Sequence, residues 1–219
     1  MRKFATATLI AGAAAATVAI GATPAFAATY TVTNGGVFSS TNTTNIQFVN
    51  VTTGASFTCT NSSVPGNAPN GTGLSGVPIA TLAGAQGNGT FTNCTGTGGS
   101  TGSATLTSGS LNLNGSPPVG GVTTGTIAGI NASLTLSNLF GTCNATVTGN
   151  VGVNTVTYTN STSTLRISAD TARPTSLRIG TASGSGCAGL INPGNSTTFQ
   201  GSYKVTTSGS TSGPVISSP

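Results

Sequence analysis

Only 3% of the 219 residues are charged: six Lys or Arg, one acid and no His, with mean hydropathy +0.19. The single acid is Asp170 and Glu is absent, so a Ser-His-Asp triad and the two-carboxylate pair of ordinary glycosidases are both excluded. A calcium cage built from Asp170 and carbonyls alone is poor, and no cofactor is expected. Low charge combined with positive hydropathy and many β-branched residues also argues against disorder, and a folded domain is expected.

In chain order, Met1-Arg2-Lys3 precedes an Ala-rich apolar stretch from Phe4 to Ala22 and then Ala25-Phe26-Ala27. This reads as a secretory signal peptide over 1–27, cleaved before Ala28. Thr6, Gly12, Thr17 and Gly21 interrupt the stretch and disfavour a membrane anchor. No second span follows, so the mature protein is expected to be secreted and extracellular, with no transmembrane segment.

Beyond Ala28, apolar residues recur with period two and nowhere at a sustained helical period. Tyr30 and Val32 open the series. Ile46 and Phe48, the turn Thr52-Thr53-Gly54, then Ala55, Phe57 and Cys59 read as a hairpin. Further runs carry Val77 and Ile79; Leu111 and Leu113; Ala132, Leu134 and Leu136; Cys143, Ala145 and Val147; Val151 and Val153. Parity changes at Asn154, so Val156 and Tyr158 belong to a bulge-shifted or new strand. Leu165 and Ile167, Leu177 and Ile179, and Phe199, Tyr203 and Val205 complete ten to twelve short strands. Asn34-Gly35, Asn70-Gly71, Asn88-Gly89 and Asn114-Gly115 supply turns. The fold class is therefore all-β, an antiparallel β-sandwich or barrel, over 28–205. The segment NGSPPVGG at 114–121 is either a linker between two small domains or a long loop within one. One domain is expected, because each half alone has a marginal core of Val, Ala and Thr. Residues 206–219 read as a flexible tail.

Cys59, Cys94, Cys143 and Cys187 form an even set in an exported chain, which implies two disulfides. Three connectivities are open. Pairing of neighbours, Cys59 with Cys94 and Cys143 with Cys187, is expected, each bridge contributing about 3.5 to 4 kcal/mol in the chain-entropy model. A zinc site is disfavoured by the absence of C-x-x-C and of His.

Motif matches do not build chemistry. Gly98 to Gly102 fits G-x-S-x-G around Ser100, but no His exists to activate it. Gly71 to Gly76 and Gly184 to Gly189 fit G-x-G-x-x-G, as chance allows in a chain with 33 Gly, and neither opens a helix. A Ser-Lys dyad using Lys204 is the one catalytic pair that composition permits. Arg166, Arg173, Arg178 and Lys204 are too few and too dispersed for nucleic-acid binding. Alternate Thr, as at Thr105 and Thr107 or Thr155, Thr157 and Thr159, suggests the solvent face of ordinary strands, since no fixed repeat supports an ice-binding solenoid.

Several segments carry a resemblance: Asn93-Cys-Thr-Gly96, GVTTGTIAGI from Gly121, VTYTNSTSTLRI from Val156, GCAGLINPG from Gly186, and TTFQGSYKV from Thr197. Together they resemble a family of small secreted actinobacterial proteins, over most of the mature chain and all four Cys. The resemblance implies export and a shared disulfide-bonded β domain, and carries over no activity or site residue. NGSPPVGG and the absence of Trp depart from it. The expected function is a non-catalytic extracellular or envelope-associated structural or binding protein. The alternative is a carrier of an apolar small molecule in a β-sandwich cleft. With so few charges guarding strand edges, adsorption to the cell envelope or to itself, through contacts insensitive to salt, is also expected.

Overall fold

The computed structural model describes residues 29–75, 78–114, 118–169 and 177–218, with only the backbone of 153 and 154. The signal peptide, Val77, Asp170 and Arg173 lie outside the described residues. Fourteen strands form two antiparallel sheets, eleven strands in one and three in the other.

The large sheet is an up-and-down barrel whose ring order follows the sequence. The first stave is split into β2 (Gly36–Asn42) and β3 (Ile46–Asn50), which pair with the two halves of β4 (Ser56–Ala68). A second split stave, β6 (Pro78–Ala83) and β7 (Gly89–Gly96), lies between β4 and β8 (Ser100–Leu113). β9 (Val122–Asn138) and β10 (Gly141–Thr159) follow as long strands. Next to β10 stand β11 (Thr164–Ile167) at one end and β12 (Arg178–Ser183) at the other.

β13 (Thr197–Thr207) pairs with β11 on one side and with β2 and β3 on the other, which closes the ring. At the β12 level, the Ile179 N–H donates to Asn195 O at 2.9 Å and the Thr197 N–H to Leu177 O at 3.0 Å. Any level therefore crosses eight staves. Eight is the strand number whose interior side chains just fill. The segment 114–121 joins β8 and β9, which pair with each other, so it is a connection within one sheet.

Inward positions alternate along each stave, as Ala132, Leu134 and Leu136 do on β9 and Cys143, Ala145 and Val147 on β10. The parity change at Asn154 appears as register shifts of β10 on β9 between Gly149 and Val156, within one continuous strand. Both disulfides form as expected. Cys59 and Cys94 are register partners on β4 and β7, with Cα atoms 3.9 Å apart. Cys143–Cys187 ties β10 to a single 3-10 turn, Ser185–Cys187, with Cα atoms 4.6 Å apart.

The smaller sheet corrects the expectation of a loose end after Thr206. β1 (Tyr30–Thr33) lies between β5 (Gly71–Leu74) and β14 (Val215–Ser217), so the two ends of the described chain meet in one sheet. Val32 and Ile216 pack with Phe38, Leu111, Tyr158 and Val205 over the upper mouth of the barrel. The tail is held because Tyr158 Oη donates to Pro214 O at 2.7 Å and Asn160 exchanges hydrogen bonds with the Ile216 backbone. A composition of Ser, Thr and Gly hides these three hydrogen bonds and the buried Ile216.

Candidate functional site

The outer wall is a chemically uniform surface. Alternation that turns Leu, Val and Ala inward turns Thr, Ser and Asn outward, and the register aligns them in rows. Ser63, Thr90, Thr105 and Ser133 are successive register partners on β4, β7, β8 and β9, and Thr146 on β10 faces Ser133. Thr181 on β12 continues the row through a 2.9 Å hydroxyl contact with Thr146. A second row runs Thr58, Thr95, Thr101, Ser137 and Thr142. Between the rows, Thr135 Oγ1 donates to Asn144 Oδ1 at 3.1 Å.

Neighbouring staves place such hydroxyls about 4.8 Å apart. The array offers donors and acceptors without charge, on a wall that curves around a barrel. It also differs from a membrane-spanning barrel, whose outward band is apolar. Among the described residues, no helix is long and apolar enough to cross a membrane.

The interior is apolar. A cavity of about 60 Å³ is lined by every stave, including Phe48, Val64, Phe91, Leu106, Val147 and Leu177. Phe48, Phe91 and Phe199 form an aromatic cluster with ring centroids 4.9 to 6.0 Å apart. The polar side chains that line this cavity, Ser40 and Tyr203, are satisfied locally. Ser40 Oγ donates to Val64 O at 2.6 Å, and Ser62 Oγ and Tyr203 Oη share a bond of 3.2 Å. Burial raises the Tyr203 phenol well above its ordinary range, although the Ser62 contact partly opposes this. Tyr158 is pushed up to about 12 by burial, opposed by a hydrogen bond with Ser163.

The candidate dyad is not assembled. Ser100 is buried at the β7–β8 turn and donates to Thr97 O at 2.9 Å. Lys204, four staves away around the ring of eight, donates to Thr162 O at 2.7 Å. The second G-x-G-x-x-G match has a packing role: a Cβ on Gly186 would meet the Gly141 carbonyl, so glycine lets the 3-10 turn lie against β10. The first match falls largely on β5, with Gly76 outside the described residues. An outer groove of about 540 Å³ places Arg166 beside Thr44, Asn45, Gln200 and Ser202, a polar setting with a single cation.

One exposed feature was not anticipated from the sequence. The β9–β10 hairpin turns through Leu139 and Phe140, which are 97% and 76% exposed. The signal was present, since an apolar pair occupies a two-residue turn where polar residues are the rule.

No protein family, curated protein or solved structure compared with the chain matches it.

Proposed function

We propose that the mature protein is exported and acts without catalysis, as a structural or binding module of the cell envelope, through its hydroxyl-bearing outer wall. The carrying observation is the row from Ser63 to Thr181, an uncharged hydrogen-bonding surface crossing six strands. Such a wall suits a partner rich in hydroxyls and amides, such as cell-wall glycan. The two disulfides fit an oxidising, extracytoplasmic setting. The resemblance to small secreted actinobacterial proteins points the same way.

The test is adsorption of the purified mature protein to isolated cell wall, washed with NaCl up to about 1 M, where exposed ionic contacts are screened to about 3 Å. Retention at high salt is expected, and its loss in Thr105→Glu combined with Ser133→Glu, with an unchanged circular dichroism spectrum. Complete release by moderate salt, or equal retention of the variant, overturns the reading.

The apolar interior favours a second reading, a carrier of a small apolar molecule. Leu82 and Leu165 line both the 60 Å³ cavity and a second void of about 30 Å³ beneath the cap sheet. An engineered apolar cavity that admits benzene is about 150 Å³, so the filled barrel must rearrange to hold more than a few atoms. Organic extraction of the secreted protein followed by mass spectrometry decides this reading, and an empty extract removes it.

A further inference from the structure

We infer that the Leu139-Phe140 hairpin tip is a lipid-docking wedge, which seats the lower rim of the barrel on a neutral lipid surface. Three observations carry this. First, the tip is presented rigidly. β10 is tied at Cys143 to Cys187, and Ser185 Oγ of the same 3-10 turn donates to Phe140 O at 2.5 Å. Asn138 Nδ2 also donates to Gly186 O at 2.8 Å. Gly141, at φ 128°, closes the turn, and a Cβ there would strike Ser185 Oγ.

Second, the Phe140 backbone is satisfied without water. A backbone entering an apolar phase must have its N–H and C=O groups satisfied internally. The Phe140 N–H donates to Asn138 Oδ1 at 2.9 Å, and its carbonyl accepts from Ser185.

Third, size and charge select the occupant. Two side chains present on the order of 300 Å², far below the roughly 800 Å² per partner of a stable protein interface. The tip is convex, the two apolar voids lie inside the barrel, and the outer groove beside Arg166 is polar, so none of these three suits the apolar tip of a second copy. The charged side chains among the described residues, Arg166, Arg178 and Lys204, stand on β11, β12 and β13 and not in this turn. The docking surface is therefore the apolar boundary of a lipid layer rather than an anionic headgroup.

The proposal does not rest on wall binding and is tested apart from it. Wild-type mature protein is mixed with zwitterionic phosphatidylcholine vesicles at low and high salt, and co-sedimentation is measured. Salt-insensitive binding is expected, weakened at least about tenfold by Leu139→Ser and again by Phe140→Ser. Val119→Ser, at the β8–β9 connection on the opposite rim and 80% exposed, leaves binding unchanged. Because the chain has no Trp, Phe140→Trp supplies a single reporter whose emission shifts to the blue on vesicle addition. Absence of vesicle binding by the wild type, binding that survives the double Ser variant, or unshifted emission from the Phe140→Trp variant each overturns the proposal. So does a light-scattering result in which the Ser variants only dissociate a dimer.

Discussion

Replacing both members of one disulfide by Ala tests whether these bridges stabilise through the unfolded chain or through local packing. Cys59–Cys94 and Cys143–Cys187 close loops with sequence separations of 35 and 44, for which the chain-entropy relation gives about 3.8 and 4.0 kcal/mol. The loops do not overlap in sequence, so the effects add to about 8 kcal/mol, comparable with the whole 5 to 15 kcal/mol of a typical domain. Each double-Ala variant is expected to stay folded and lose about 4 kcal/mol, with a urea midpoint lower by about 2 M for a slope near 2 kcal/mol/M. Removing both bridges is expected to unfold the chain. Equilibrium urea unfolding, followed by circular dichroism and tyrosine fluorescence, measures this. The two bridges differ locally: one joins register partners inside the wall, and the other tethers a 3-10 turn at the rim. Near-equal losses support the chain-entropy reasoning. A loss under about 1 kcal/mol for Cys143→Ala with Cys187→Ala, accompanied only by faster amide exchange near Ser185–Cys187, refutes it.

Stability is expected to be flat from about pH 3 to 9, because the chain has no His or Glu and a single Asp, and to fall above pH 10. Tyr158 is raised to about 12 and Tyr203 higher still. Their contribution is thus whole below the unfolded value of about 10 and is lost as pH rises through the folded values, with a combined slope of up to about 2.7 kcal/mol per pH unit. Melting temperature against pH, read beside phenolate absorbance, checks the window; acid unfolding near pH 4 contradicts it. Thr123→Val removes a buried hydroxyl that has no hydrogen-bond partner and is expected to raise stability by about 1 kcal/mol in urea unfolding. Truncation after Ser212 removes β14 and the bonds to Tyr158 and Asn160. It is expected to cost at least about 3 kcal/mol and to admit an apolar dye under the cap, whereas a freely mobile tail predicts no change.

Period two along Ala132, Leu134 and Leu136 or Cys143, Ala145 and Val147 made the strands legible, because each stave buries only one face. The disulfide pairing was legible as an expectation among three. What stayed hidden shares a physical cause, local compensation that breaks the pattern. β2 turns Ser40 inward, its hydroxyl satisfied by Val64 O, so no apolar alternation marks the strand. On β7, Asn93 at φ 53° shifts the register between Phe91 and Cys94, so two inward residues lie three apart instead of two. The hydroxyl rows depend on register between staves, which one strand's sequence does not encode. The dyad of Ser100 and Lys204 could be set aside only once both were placed on the ring.

Closure also changes what an almost uncharged β surface implies. The expectation of self-adsorption rested on exposed edges lacking Lys and Glu to block pairing. In the barrel, β11 meets β13 at one level and the 195–197 segment covers β12 at the other, and a closed sheet has no edge to protect. The outer strands of the cap sheet, β5 and β14, are only four and three residues long, too short to template extended pairing. Charge is therefore not needed against edge-to-edge growth, and hydroxyls suffice to solvate the wall. Salt-insensitive adhesion then has to come from side chains rather than open backbone. Measured adhesion should accordingly respond to Leu139 and Phe140 or to the row that holds Thr105 and Ser133, and a Pro scan of β5 or β14 should leave it unchanged.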